Sequence, residues 1–155
     1  MESLFKEILG LISKREFDRA SELIESAREK ISDNEVHRLV ALSAVLQREL
    51  GNIDRAIELM KVARQEAPTW LPHLYNLSDF LMEAKNWQEA IEVLDALILR
   101  SEEIDEHYFL IDARFRKILC LKALDRRDEI QIEKKKIPPG STTFIDREYR
   151  LEDLD

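Results

Sequence analysis

Three histidines, His37, His73 and His107, are the side chains in this sequence best suited to hold a metal ion or to exchange a proton near neutral pH. They stand 36 and 34 residues apart. None has a His or Cys partner at the short spacing with which one helix presents two ligands, so the expectation is no metal and no cofactor, with the histidines at partly exposed edges. Gly140-Ser141-Thr142-Thr143, behind Lys134, Lys135 and Lys136, has some of the look of a phosphate loop. It lacks the second glycine and the Gly-Lys-Ser/Thr ending, and no long helix follows whose N-terminus could take an anion, so it reads as a helix stop. Cys120 is the only cysteine and lies in Ile118-Leu119-Cys120-Leu121, the setting of a packed, inert thiol. Acidic residues are spread as on any solvated helix face, and no serine, cysteine or threonine sits in a nucleophile motif beside a base. The chemistry therefore points away from an enzyme.

The balance of charge narrows the partners. With 32 acidic against 24 basic residues among 155, the formal charge is −8. That disfavours nucleic acid, whose binding depends on clustered Lys and Arg releasing counterions, and favours a basic protein or peptide. No window approaches the ~18 apolar residues of a membrane span, and Met1 leads into Glu2 and Lys6 without a secretory pattern, so a cytoplasmic setting is expected.

The elements that would position any site follow from a repeat. Lys14-Arg15-Glu16-Phe17-Asp18-Arg19-Ala20, Leu50-Gly51-Asn52-Ile53-Asp54-Arg55-Ala56 and Lys85-Asn86-Trp87-Gln88-Glu89-Ala90 align with Ala20, Ala56 and Ala90 in register, at steps of 36 and 34 residues. Self-similarity at that period marks a stack of helical hairpins, each too small to bury its own apolar face. Leu4, Ile8 and Leu11 give the first helix its face, and Phe17, Ala20, Ile24 and Ala27 the second. Ser32 and Glu35 have the spacing of a capping box for a helix over about 33–50. Gly51 suits a left-handed helix end, Asn52 and Thr69 are candidate caps, and Asn86 to Glu89 repeats the capping-box pattern. A longer, degenerate fourth hairpin turns at Leu124 to Ile130, 40 residues after its equivalent. After Pro138-Pro139-Gly140, two short β-prone runs predict a hook that folds Phe144, Ile145 and Tyr149 onto the final helices.

On these residues the chain resembles the tetratricopeptide repeat. Ala44, Gly51, Ala56, Ala63 and Pro68 fall on that family's small-residue, turn and terminating positions in the second repeat. The third matches at Ser78, Trp87 and Ala90, with Lys85 in place of the turn glycine and Glu102 in place of the proline; the first has Arg15 at the glycine place, and the fourth keeps mainly Ile118 and Leu121. The resemblance implies an all-α, right-handed superhelical stack of three to four antiparallel hairpins over residues 1–137, with residues 138–155 as a cap or hook. It further implies a concave groove lined by the first helix of each hairpin. Carried over by position, the partner-binding residues are Arg38, Val45, Arg48, Tyr75, Asn76, Asp79, Met82 and Arg116. Ala41 and Val45 occupy places where the carboxylate-clamp subfamily carries polar residues, so that specialisation is not expected.

The function expected is a non-enzymatic adaptor that holds another protein or peptide in its groove. Two other readings stand beside it: an acidic immunity or inhibitor protein masking a basic toxin, and a ligand or anion site built from the lysines and hydroxyls of the hook. The opening helix is apolar on more than one stripe, so Phe5, Leu9 and Ile12 form a candidate association face, to be covered by a second copy, by a partner or by the following hairpins.

Overall fold

A computed structural model describes residues 1–154. Its described residues form eight α-helices, α1 Glu2–Ser13, α2 Phe17–Arg28, α3 Val36–Glu49, α4 Ile53–Glu66, α5 Leu71–Glu83, α6 Trp87–Glu103, α7 Leu110–Ala123 and α8 Arg127–Lys134, followed by strands β1 Thr142–Phe144 and β2 Glu148–Arg150. The fold is thus an all-α series of helical hairpins with one two-stranded sheet. Two compact units divide it, Met1–His73 and Leu74 onward. In the first, α1 packs on both α2 and α3, and α3 on α4; in the second, α7 packs on α6, α8 and β1.

Each hairpin is set by one left-handed residue. Arg15 (φ 61°), Gly51 (φ 86°), Lys85 (φ 59°) and Asp125 (φ 55°) end the first helix of the four pairs. The N–H of each donates three residues back and the next N–H five back, as in Asn52 to the Gln47 carbonyl at 2.9 Å and Asn86 to that of Leu81 at 2.8 Å. This pattern satisfies the carbonyls a helix end would otherwise orphan. The second helix then begins two residues on, at Phe17, Ile53, Trp87 or Arg127. Its first helical bond closes five residues after the turn, at Ala20, Ala56, Ala90 and Ile130. The three alanines are 0% exposed and Ile130 2%, so the repeat signal marks the place where the second helix enters the core.

Several local expectations resolve differently. Ser32 donates to the side chains of Asn34 (2.6 Å) and Glu35 (3.3 Å), and no side-chain bond caps a backbone N–H there. The Glu35 N–H goes to the Ser32 carbonyl at 2.9 Å, making a 3-10 turn over Asp33–Glu35 before α3 starts. Asn52 and Asn86 do not cap either; their side chains donate to Gln47 and Glu89, while their backbone N–H groups serve the turn before them.

The first helix is covered by its own unit. Phe5, Ile8 and Ile12 join Ala20, Ile24, Ala27, Leu39 and Leu46 in one buried cluster, with Leu4 and Leu11 packed at its margin. At the other end, β1 and β2 pair antiparallel, Thr143 opposite Tyr149. Phe144 does not fold onto the helices: it is 73% exposed. Strand alternation sends Thr143 toward the helices, where its hydroxyl donates to Asp112 at 2.8 Å. Ile137 and Leu154, both buried, anchor the segment at its two ends.

The turn geometry makes a stability prediction. A Cβ added at Gly51 meets nothing within 4 Å, so Gly51→Ala should cost about 1 kcal/mol through backbone conformation alone. Lys85→Gly, which relieves the same conformation, should gain about 0.5 to 1 kcal/mol. Urea denaturation of the two variants checks both signs.

Candidate functional site

In the second unit the groove candidates come together around one guanidinium. Arg116, on α7, is 4% exposed. Its Nε donates to Asp112 at 2.7 Å, its Nη1 to Asp79 at 2.7 Å and its Nη2 to the Tyr75 hydroxyl at 2.9 Å. The guanidinium carbon also lies 4.8 Å from the centroid of the Tyr75 ring. Each of the three nitrogens therefore has an acceptor, and the planar group is held by two carboxylates and an aromatic face. Burial acts to lower the Arg116 pKa, but Asp112 and Asp79 outweigh it and raise it well above the usual value. Burial likewise raises the Tyr75 hydroxyl, against the pull of Arg116.

Two carboxylates against one guanidinium leave this cluster with a formal charge of −1. Asp79 is its open side, with a side chain 35% exposed against 17% for Asp112. Asn76 and Met82 are half-buried on the same helix. Tyr75 continues outward through Phe109 (centroids 5.1 Å apart) to Tyr108 (4.9 Å, edge-on). Tyr108 itself is 82% exposed. The result is a rigid aromatic and carboxylate face whose inner end is braced and whose outer end meets water.

The first-unit candidates are placed differently. Arg38 lies over the Phe5 ring at 4.2 Å and donates to Glu2 at 2.8 Å, so it braces α3 to α1. Val45 packs at the edge of the buried cluster, and Arg48 pairs with Glu49 at 2.8 Å. Of the association candidates, Phe5 and Ile12 are buried and Leu9 is 46% exposed.

Two arrangements were missed in the sequence. His37 and His73, which have no near neighbour of their kind along the chain, meet ring to ring, Nδ1 to Nε2 at 2.7 Å. Glu133, 3% exposed, gathers Lys117 (2.8 Å), Lys136 (3.1 Å) and Arg114 (3.4 Å). Burial acts to raise the Glu133 carboxyl, and the hydrogen bonds from Lys117 and Lys136 overcome it and hold it below the usual range. One signal would have found the first pair: His37 and His73 are 36 residues apart, as are Glu2 and Arg38, while Asp79 and Arg116 are 37 apart. Residues one repeat apart become neighbours when hairpins stack.

Three of the residues offered as an anion site are engaged within the chain. Lys136 binds Glu133, the Ser141 hydroxyl donates to the Pro138 carbonyl at 2.6 Å, and Thr143 serves Asp112. Cys120 is buried, which pushes its thiol up to about 12. Among the described residues no group of three or more His, Cys, Asp or Glu could hold a metal ion, and no helix is long and apolar enough to cross a membrane.

These features define a helical-repeat protein. The tetratricopeptide repeat family model matches residues 47–109. The tetratricopeptide-like repeats of a kinesin light chain described from Podosopora anserina superpose with a TM-score of 0.72 at 15% identity, covering 87% of this chain and 71% of that one. A double mutant of MamA from RS-1 gives 0.68 at 15% identity over 86% and 71%. MamA from MSR-1 gives 0.62 at 17% over 85% and 71%. No curated protein matches by sequence. The chain has a tetratricopeptide-like repeat fold, and its sequence resembles that family over residues 47–109.

Loss of the guanidinium tests the brace. Arg116→Met leaves Asp79 and Asp112 facing each other and should cost about 2 to 3 kcal/mol, below the cost of orphaning a fully buried charge because Asp79 keeps water contact. Adding Asp112→Asn should recover part of that loss, a coupling that denaturant titration of the single and double variants reads directly.

Proposed function

We propose that the protein is a non-enzymatic interaction module that holds a segment of another protein against the α5 and α7 face of its second unit. The observation that carries this reading is the Arg116 brace, which spends a buried charge on fixing Tyr75 and Asp79 while Asp79, Asn76 and Met82 stay half-open. A face ordered before binding loses little side-chain entropy on contact. The tetratricopeptide-like fold commonly serves protein-protein contact, which supports the same reading. The half-buried row on α3, with Arg38, Val45 and Arg48, offers the first unit a contact surface of its own. The segment after Ile137 acts as a cap through Thr143 and Leu154.

The partner segment carries a basic side chain. The cluster charge of −1 lies in a chain of formal charge −8, and Arg116 is the cation that its two carboxylates share. A Lys or Arg placed beside Asp79 would complete that balance, with its apolar stem against Met82 and the aromatic row. The buried thiol of Cys120 suits a cytoplasmic setting.

Two substitutions outside the brace test the face. Asn76→Ala with Met82→Ala should weaken binding by about 1 to 2 kcal/mol for each central anchor while the melting curve stays near that of the parent. The measurement compares proteins retained from host lysate by the parent and by the double variant, then titrates the purified partner against both. No protein retained by the parent and lost by an equally stable variant would sink the reading. An association rate indifferent to salt would sink its charged part.

A further inference from the structure

We propose that His37 and His73 form a proton-operated latch, which holds the first turn of α5 on α3 in neutral solution and releases it on acidification. The observation is a hydrogen bond between two imidazoles in an enclosed place. His37 Nδ1 and His73 Nε2 are 2.7 Å apart, with the rings edge-on at 5.0 Å. His73 is 2% exposed and its other nitrogen, Nδ1, is buried with no partner. Trp70 closes the outer side with its ring 5.3 Å from that of His37.

Proton counting gives the latch its sense. A bond between two imidazoles needs one N–H and one bare lone pair. With His73 Nε2–H donating to His37 Nδ1, the orphaned His73 Nδ1 carries no hydrogen, which is the arrangement that leaves no buried N–H unpaired. A proton added at His37 Nδ1 removes the acceptor. The bond can then reform only if His73 carries its hydrogen on Nδ1, where nothing receives it. A proton added to His73 puts an N–H at that same empty position, and a cation beside Arg38. Either protonation breaks the bond or buries an unsatisfied donor.

The surroundings reinforce this. On α3, Arg38 opposes a charge on either ring; on α4, Glu66 favours one on His37, as do Glu35 in the preceding 3-10 turn and a backbone hydrogen bond with Asn34. From α1, Glu2 is paired to Arg38, so it answers that cation rather than the histidines. Burial is the largest influence on both rings: it takes His73 down to about 4 and lowers His37 in the same direction. A histidine lowered on closing favours the neutral form, so the closed state is fully supported above the free value near 6.5. That support is lost as pH falls from there toward 4.

Trp70 reports the latch, and the full chain with Trp87→Phe isolates its signal. Acrylamide quenching of Trp70 should rise by about twofold between pH 7.5 and 4.5, since the ring is already 41% exposed when closed. The midpoint should fall between 4 and 6.5, with the far-ultraviolet helical signal retained. His37→Gln, at the less buried ring, and His73→Gln should each remove the pH dependence, and His107→Gln should leave it intact. The proposal is overturned if quenching is flat with pH, or if the transition persists in both glutamine variants. It is equally overturned if quenching and helical signal change together at one midpoint, which is acid unfolding of the whole chain, or if emission dims with no gain in acrylamide access, which is quenching by a nearby imidazolium without release.

Discussion

The left-handed residue that ends the first helix of each hairpin is the constraint from which the rest of the structure follows. A chain leaving a helix through that conformation must turn within two residues, and it can satisfy its last carbonyls only with the next two N–H groups. Those two bonds fix where the second helix starts, and so which residue first enters the core. The backbone needs this so strongly that Arg15, Lys85 and Asp125 adopt it as fully as Gly51 does. The conformation costs a side chain about 1 to 2 kcal/mol. Its persistence at three non-glycine positions shows the surrounding hairpins outweighing a local preference.

Because the turns set the register, residues one repeat apart come to lie side by side, and in this protein they are often charged or aromatic. Glu2 meets Arg38, His37 meets His73, Asp79 meets Arg116, and Gln88 accepts from Arg126. The fourth hairpin carries this furthest. Its first helix buries Arg114 and Arg116 among Ala113, Phe115 and Ile118, and its second buries Glu133. Buried ion pairs gain little net stability over apolar contacts of the same volume. What they add here is direction: a guanidinium satisfied at Asp79, Asp112 and Tyr75 together admits one placement of α7 beside α5.

The helices, the turns and the three buried alanines were legible in the sequence because each rests on local spacing. The expected caps at Ser32, Asn52 and Asn86 were not: a 3-10 turn takes the Glu35 N–H, and the Asn52 and Asn86 side chains go to Gln47 and Glu89 instead. Phe144 misled because β propensity predicts a strand but not which face a three-residue strand presents. The candidate rows on α3, α5 and α7 could be placed by helical phase. That phase separates half-buried Asn76 and Met82 from buried Leu77 and Leu81, but it cannot say that Arg116 would be satisfied inside the protein instead of offered to a partner. That depends on carboxylates 4 and 37 residues away.

Arg38 and Arg116 stand at comparable places on the first helix of their hairpins, and each stacks on an aromatic ring from the helix one repeat before. Arg38 lies over Phe5 and keeps a side chain 22% exposed, paired at 2.8 Å to a largely solvated Glu2. Arg116 lies over Tyr75 with 5% of its side chain exposed and two carboxylates at 2.7 Å. The first pair is open to water on its Glu2 side, which weakens the attraction, so α1 is held mainly by its apolar contacts. The second is shielded, and salt screens it far less. The same device therefore serves as a soft surface contact in one unit and as a rigid brace in the other. In the contact proposed above, the side chains already fixed by Arg116 would not need to be ordered again when a partner arrives.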